Sequence, residues 1–323
     1  MSSPQESASA SASHETVPGF SRLVRIEEFN QIPGVPASEQ GRLVCSQLET
    51  GNLLLLAKTP FAISQEDREL LLGRKQASSA YHKNIAYRPS EDRITGLDAS
   101  EREEAQQLRR ILRSYSQQAI EFVNTVLTPY ANQWKLDYAS FRPIEEKGRP
   151  ARVHARNDLL HFDSFPTRPT NGGRILRLFT NINPVQSRVW LTSQTFEAFG
   201  PRYATATGLQ SARKENFFAR LFRPLAGALN LSLAKRPPYD EFMHRCHNAM
   251  KEDTNFQETT PKHRWEFPPD CSWLAFTDCV SHAVLEGQYA LEQTFIIPQS
   301  ALVARDRSPL AILERVAGHS LTI

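Results

Sequence analysis

The sequence contains the short run His161-Phe162-Asp163, and a further histidine, His282, lies far downstream at the end of residues 276–282 (FTDCVSH). Successive side chains on a β-strand point to opposite faces, so His161 and Asp163 point the same way from one short segment. Two imidazoles and one carboxylate on one face of a metal form the facial triad of non-haem Fe(II) oxygenases, which leaves coordination positions open. If His282 folds back onto the first pair, the sequence predicts an oxygen-activating metal centre.

The segments around these three residues are typical of strands. Residues 174–184 (RILRLFTNINP) are rich in β-branched and aromatic side chains and close with Asn-Pro, and residues 290–298 form a second such run after His282. An early ligand pair and a late histidine suit a double-stranded β-helix, a jelly-roll variant whose mouth can hold such a site. We therefore predict a mainly β fold with α-helices, in which helices flank a jelly roll.

Composition limits the class of protein. The chain has 323 residues, 40% of them apolar, which is enough for a substantial core. Its net charge of +3 is too mild to indicate nucleic-acid binding. The charge is uneven, however: residues 142–188 hold nine Lys or Arg and four Asp or Glu. This basic window contains the predicted metal pair, so we expect an anionic substrate or cosubstrate.

The cysteines and the apolar runs indicate a cytoplasmic protein. The four cysteines show no paired spacing and no CxxC motif, so buried reduced thiols are favoured over disulfides or zinc ligands; they are Cys45, Cys246, Cys271 and Cys279. No apolar run approaches the length of a membrane span. The N-terminal stretch lacks the basic start and apolar middle of an export signal.

The chain is predicted to be one domain preceded by a tail. Residues 1–17 are rich in Ser and Ala and are expected to be disordered, and residues 18–323 are expected to form a single domain. Its strongest helix should cover about residues 100–128, where apolar residues recur at helical spacing after a capping-box pattern. A helical insert is predicted over about residues 215–251. Its basic amphipathic first part could lie at a membrane surface or pack on the barrel.

Long blocks around the predicted ligands match a known family. They are residues 161–170 (HFDSFPTRPT), 174–184 with 188–190 (RVW), 281–285 (SHAVL) and 290–295 (ALEQTF), preceded by 141–143 (FRP) and 155–158 (ARND). These blocks lie within roughly residues 138–298 and closely resemble Kdo hydroxylase, a family of bacterial Fe(II)/2-oxoglutarate-dependent dioxygenases. The sequence departs from the family at residues 191–194 (LTSQ), where a more basic, glycine-containing run is expected.

The resemblance implies a specific reaction. The substrate would be a Kdo-containing lipid A glycolipid at the cytoplasmic face of the inner membrane. Carbon 3 of its 3-deoxy-D-manno-octulosonic acid (Kdo) would be hydroxylated, giving Ko in the lipopolysaccharide inner core. Fe(II), 2-oxoglutarate and O₂ would be needed, with the iron held by His161, Asp163 and His282. Two alternatives stay open: a hydroxylase of a protein or small soluble metabolite with the same triad, and a binding protein whose triad is vestigial.

The far carboxylate of 2-oxoglutarate needs a cation, preferably a guanidinium. No Lys or Arg occurs between His282 and Arg305, so the usual position about ten residues after the last histidine cannot supply it. Arg177, set in the strand proper, is our preferred anchor. Arg174, the second candidate for this role, points to the opposite face and is expected at the surface or facing the substrate.

Further polar side chains are assigned to the cosubstrate or the substrate. Thr180 and Asn181 could add hydrogen bonds to 2-oxoglutarate. Asn183 could do the same or cap the turn at Pro184. The candidates for the Kdo carboxylate or the lipid A phosphates are Arg152, Arg156 and Arg168.

Overall fold

The computed structural model of the protein describes residues 18–30, 36–74, 84–97, 102–207, 209 and 236–323. The predicted tail at residues 1–17, and residues 215–235 of the predicted insert, lie outside these ranges. The prediction of a single domain over residues 18–323 therefore stays a prediction.

The described residues form two β-sheets. The larger sheet has eight strands and the smaller sheet has three. In chain order the strands are β1 (Leu23–Arg25), β2 (Leu53–Leu56), β3 (Ile85–Arg88), β4 (Arg93–Thr95), β5 (Lys135–Arg142), β6 (Arg174–Asn181), β7 (Arg188–Thr195), β8 (His263–Phe267), β9 (Ser272–Phe276), β10 (Val280–Glu286) and β11 (Ala290–Ile297). The large sheet runs β1-β2-β9-β6-β11-β5-β3-β4 and the small sheet β10-β7-β8. Only the β1–β2 pair is parallel among these described strands.

The helices lie mainly against the large sheet. They are α1 (Glu27–Asn30), α2 (Ala37–Glu49), α3 (Gln65–Gly73), α4 (Arg102–Val126), α5 (Phe196–Ala206), α6 (Pro238–Glu252), α7 (Thr254–Thr259) and α8 (Pro309–Ala317). Helix α4 confirms the predicted helix at about residues 100–128, and its buried side chains recur every three or four residues. No described helix combines the length and the apolar character needed to cross a membrane.

Strand β6 separates two cores because its side chains alternate between the two faces of the large sheet. Leu176 and Leu178 join the helix-covered core, which also contains the buried residues of α4. Phe179 joins the second core with Trp190 of the small sheet and Trp273. The large sheet is thus covered by helices on one side and by the small sheet on the other, which makes a mixed fold rich in sheet. The four cysteines are buried and free, as predicted.

The helix-covered core contains a buried ion pair. Arg174 is 0% exposed, and its Nε donates to Asp278 Oδ2 at 2.9 Å. Its guanidinium lies over the Phe276 ring, with the guanidinium carbon 4.1 Å from the ring centroid. Because neither partner reaches water, each charge depends on the other.

Arg174→Met should destabilise the protein strongly, because it leaves the Asp278 carboxylate buried without its cation. Removing one partner of a buried pair costs about 3–5 kcal/mol, and we expect a loss of that order in urea unfolding. The double variant Arg174→Met/Asp278→Asn should recover part of the loss, since no lone charge remains. A double variant no more stable than the single one would contradict this account.

Candidate metal centre

The structure brings the three predicted ligands together. One ligand atom from each of His161, Asp163 and His282 lies within 4.8 Å of the others, and all three residues are buried. The two histidines face each other across an isolated antiparallel bridge. His161 N donates to His282 O at 3.1 Å, and His282 N donates to His161 O at 3.0 Å. Backbone hydrogen bonds therefore fix the distance between the early and the late segment.

Each imidazole is oriented by a backbone carbonyl. Nδ1 of His161 lies 2.8 Å from Leu159 O, and Nδ1 of His282 lies 2.9 Å from Val280 O. A carbonyl oxygen only accepts, so both Nδ1 atoms carry the hydrogen and both Nε2 atoms keep a lone pair. This is the arrangement that fixes the tautomer of metal-binding histidines.

The ionisation of the three groups suits a divalent cation. Burial lowers the pKa of both His161 and His282, which keeps the imidazoles neutral. Burial alone would raise the pKa of Asp163, but the charge of the Arg177 guanidinium is the largest opposing influence, and that pKa lies well below its usual range. Asp163 Oδ2 lies 2.8 Å from Arg177 Nη1, whereas Oδ1 lies 3.5 Å from His161 Nε2, so Oδ1 is the oxygen that faces the imidazole and is available for a metal. Two neutral nitrogens and one anionic oxygen are the donor set of the facial triad.

Side chains from two helices hold the segment that carries the first ligands. Gln257 of α7 pairs with both backbone groups of Leu160: Leu160 N donates to Gln257 Oε1, and Gln257 Nε2 donates to Leu160 O, each at 2.9 Å. His247 of α6 donates from Nδ1 to Phe162 O at 2.8 Å, and its ring packs on His161 with centroids 4.9 Å apart. The segment lies outside the named strands, so these contacts add to the bridge with His282 in holding it in place.

Aromatic rings close the site on the side of the second core. Trp190 stacks on His282, with ring centroids 5.2 Å apart and planes at 21°. Trp190 also meets Phe179 and Trp273 edge to face. These buried rings exclude water from one side of the imidazole and restrict its rotation.

Charged side chains continue from the metal ligands into the large sheet. Arg177 Nη1 lies 2.8 Å from Asp163 Oδ2, and Arg177 Nη2 lies 3.0 Å from Glu292 Oε1. Arg142 Nε donates to the other oxygen of Glu292 at 2.8 Å. Glu292 thus lies about ten residues after His282, at the position where a cation usually binds 2-oxoglutarate, and it pairs with Arg177 and Arg142. Strands β5, β6 and β11 are neighbours, which brings these three side chains together.

The same series of charges reaches the small sheet. Arg142 Nη1 lies 3.9 Å from Glu146 Oε1, and Arg188 Nη2 lies 3.6 Å from that oxygen. Arg188 is 1% exposed and also donates to Gly287 O at 2.9 Å. Burial, reinforced by the charge of Arg142, lowers the pKa of Arg188 to about 10. Sequence reasoning assigned no role to Arg142, Arg188 or Glu146.

Three of the residues predicted to bind 2-oxoglutarate have other partners. The prediction that Arg174 lies at the surface or faces the substrate is wrong, because the side chain points into the helix-covered core and pairs with Asp278. Thr180 points to the same helix side, where its Oγ1 lies 3.3 Å from Tyr115 OH. Asn181 donates from Nδ2 to Gln186 O at 2.9 Å and Phe267 O at 3.0 Å, so its amide holds a turn. None of these contacts involves a metal ligand.

The turn at the end of β6 also settles the two roles considered for Asn183. Its Oδ1 accepts from Val185 N at 3.1 Å and from Gln186 N at 2.9 Å. The side chain therefore caps the turn at Pro184.

The three arginines predicted for the substrate lie in different settings. Arg168 pairs with Asp137, and its guanidinium carbon lies 4.3 Å from the Phe165 ring centroid. The Arg177 guanidinium carbon lies 5.6 Å from the same centroid, so Phe165 links Arg168 to the metal centre. Arg156 pairs with Asp158 at 2.6 Å, and Arg152 is exposed.

The buried imidazoles predict that the metal-free protein loses stability as the pH falls. Burial lowers the pKa of His161, His282 and His247, the last to about 4. In an unfolded chain the pKa of histidine is about 6.5. The stabilisation that the buried neutral imidazoles give the folded protein is therefore complete above that pH. It is lost below it, since unfolding then takes up protons. We expect the free energy of unfolding in urea, with a chelator present, to decrease between about pH 7 and pH 5.

A variant separates the contribution of His247. His247→Phe should reduce the pH slope by about one proton, because one imidazole fewer is protonated on unfolding. An unchanged slope in this variant would show that His247 is not a buried neutral group.

Comparisons with known proteins agree with this geometry. The family model for 3-deoxy-D-manno-oct-2-ulosonic acid (Kdo) hydroxylase matches residues 33–320. A sequence search of curated proteins finds no match.

The fold is similar to solved structures of the Kdo hydroxylase KdoO, described as a non-heme Fe(II) alphaketoglutarate-dependent dioxygenase. The complex of KdoO with alphaketoglutarate and Fe(III) is 28% identical to this chain, with a TM-score of 0.76 over 93% of this chain and 97% of KdoO. The apo structure gives the same values, and the complex with succinate and Fe(III) gives a TM-score of 0.75. Since the family model covers most of the sequence, the chain belongs to the Kdo hydroxylase family.

Proposed function

We propose that the protein is an Fe(II)- and 2-oxoglutarate-dependent dioxygenase that uses O₂ to hydroxylate carbon 3 of Kdo carried on lipid A. The observation that carries this proposal is the convergence of His161, Asp163 and His282 into one buried N, N, O donor set. Membership of the Kdo hydroxylase family supports the sugar acid as substrate. The KdoO complexes with alphaketoglutarate, succinate and Fe(III) support the cosubstrate and the metal.

The residues of the chain perform defined tasks in this reaction. The two Nε2 atoms and the Asp163 carboxylate would hold Fe(II), and bound iron with 2-oxoglutarate would supply the oxidising chemistry, releasing succinate and CO₂. The carbonyls of Leu159 and Val280 keep both imidazoles in the metal-binding tautomer. Trp190 shields one side of the site from water.

We also propose that the two sheets form the double-stranded β-helix predicted from the sequence. The ligand-bearing bridge joins His161 to β10 of the small sheet, and Arg177 of the large sheet contacts Asp163. A metal site held between two sheets in this way is the arrangement expected for the mouth of a jelly roll.

The cation for the far carboxylate of 2-oxoglutarate is proposed to be Arg177. Arg177 lies on strand β6 and contacts the metal ligand Asp163, and its side chain is 14% exposed. Arg142 lies on the other oxygen of Glu292 and adds a second guanidinium beside it. A planar guanidinium can bind a carboxylate through two hydrogen bonds, which a strand lysine could not do.

The substrate is proposed to approach the metal past Phe165 and Arg168. Arg168 shares the Phe165 ring with Arg177, so of the three predicted substrate arginines it is the one linked to the site. Arg152 and Arg156 remain proposed contacts for lipid A phosphates at the surface. We place the enzyme at the cytoplasmic face of the inner membrane, in peripheral contact with the lipid that carries its substrate.

The proposed reaction predicts that His282→Ala abolishes turnover, because it removes one of three metal ligands while leaving the sheets intact. The measurement is mass spectrometry of Kdo-lipid A after incubation with Fe(II), 2-oxoglutarate and O₂, searching for one added oxygen, with succinate measured in parallel. His319→Ala, a histidine at the C-terminal end of the chain, should keep full activity.

Other outcomes would favour the alternatives. Hydroxylation of soluble peptides or metabolites but not Kdo-lipid A would assign the protein to the other class of hydroxylase. No substrate-dependent succinate release by the wild-type protein would indicate a binding protein.

The proposed anchor predicts that Arg177→Met raises the KM for 2-oxoglutarate by roughly 30-fold or more at saturating Fe(II), since a buried carboxylate loses its partner. Thr180→Val is the matched control: it lies three positions along the same strand on the opposite face, and its KM should stay unchanged. A normal KM in Arg177→Met would transfer the role to Arg142 or Arg188.

A further inference from the structure

Lys251 is a buried cation close to the metal centre that the reaction described above does not use. It lies near the end of helix α6, and the residue is 4% exposed. Its Nζ donates to the carbonyl oxygen of His154 at 3.0 Å. Within the described ranges, no carboxylate lies within ion-pair distance of this ammonium. Buried charges are normally paired, so an ammonium that has only a carbonyl is poised to receive an anion.

The helix places Lys251 beside the metal ligands. His247 lies one turn earlier on α6, on the same face, and its ring packs on His161 with centroids 4.9 Å apart. Burial lowers the pKa of Lys251 to about 8, and the charges of Asp163 and Asp158 oppose this effect. The group therefore remains largely protonated at neutral pH and acts on the site as a cation.

The cations around the metal differ in what balances their charge. Arg177 lies between two carboxylates, those of Asp163 and Glu292. Arg168 has Asp137. Lys251 comes from a helix rather than a strand and is next to the turn Val153–Ala155, which follows the exposed Arg152. It is thus held separately from the arginines proposed for 2-oxoglutarate.

We propose that Lys251 Nζ binds the carboxylate of the sugar acid substrate and so positions the sugar at the metal centre. This inference rests on the proposed function. In Kdo the carboxylate is attached to carbon 2, next to carbon 3. A cation fixed beside the metal therefore holds the acid group within two bonds of the carbon to be hydroxylated. The same contact selects a sugar acid over a neutral sugar, because a neutral sugar would leave the ammonium buried and unpaired.

The test compares two probes that differ only at the carboxyl group, which is charged in the first and neutral in the second: the methyl glycoside of Kdo and the methyl ester of that glycoside. Wild-type enzyme should lose roughly 30-fold or more in kcat/KM on the ester, because the ester leaves Lys251 without its anion. Lys251→Met should show the same loss on the acid and no further loss on the ester, since the interaction is already absent. Its KM for 2-oxoglutarate should stay unchanged.

The results that would overturn the inference are distinct from those that would overturn the function. If Lys251→Met keeps the wild-type preference for the acid, the residue does not bind the substrate carboxylate. If its KM for 2-oxoglutarate rises instead, the cation belongs to the cosubstrate. Equal use of acid and ester by the wild type would reject the inference even if the variant does not fold. A wild type that hydroxylates neither glycoside nor Kdo-lipid A rejects the proposed function itself.

Discussion

The site depends on the pair of backbone hydrogen bonds between His161 and His282. These two residues are far apart in sequence, and their rings lie with centroids 4.6 Å apart. The bridge places both imidazoles side by side, and the carbonyls of Leu159 and Val280 then select which nitrogen faces the ligand. A small shift at this bridge would separate the donor atoms. The contacts of Gln257 and His247 with the ligand segment hold the bridge in place.

Much of what the sequence predicted about the site follows from the alternation of side chains along a β-strand. It placed His161 and Asp163 on one side, and it separated Arg177 from Arg174. It could not say which side of β6 faces the metal, because both faces of the large sheet are covered and both read as apolar. Arg174 was misplaced for this reason. Thr180 lies on the opposite face of β6 from Arg177, so alternation itself argues against assigning both residues to 2-oxoglutarate.

Other parts of the site were beyond sequence reasoning because they depend on packing between distant elements. The contact of Glu292 with Arg142 and Arg177 needs the register of three strands. His247 and Lys251 reach the centre only because α6 packs there. A histidine and a lysine one turn apart are a common pattern in helices, so the sequence does not distinguish this pair from ordinary helix residues.

Gln257 and His247 connect the ligand segment to helices α6 and α7 through the backbone of Leu160 and Phe162. The affinity of the centre for its metal is then thermodynamically linked to the order of these helices. Linkage is reciprocal, so a ligand of these helices that strengthens metal binding is itself bound more tightly, by the same factor, when the metal is loaded. The binding affinity of a substrate held by α6 would accordingly depend on whether the metal is present, before any chemistry takes place.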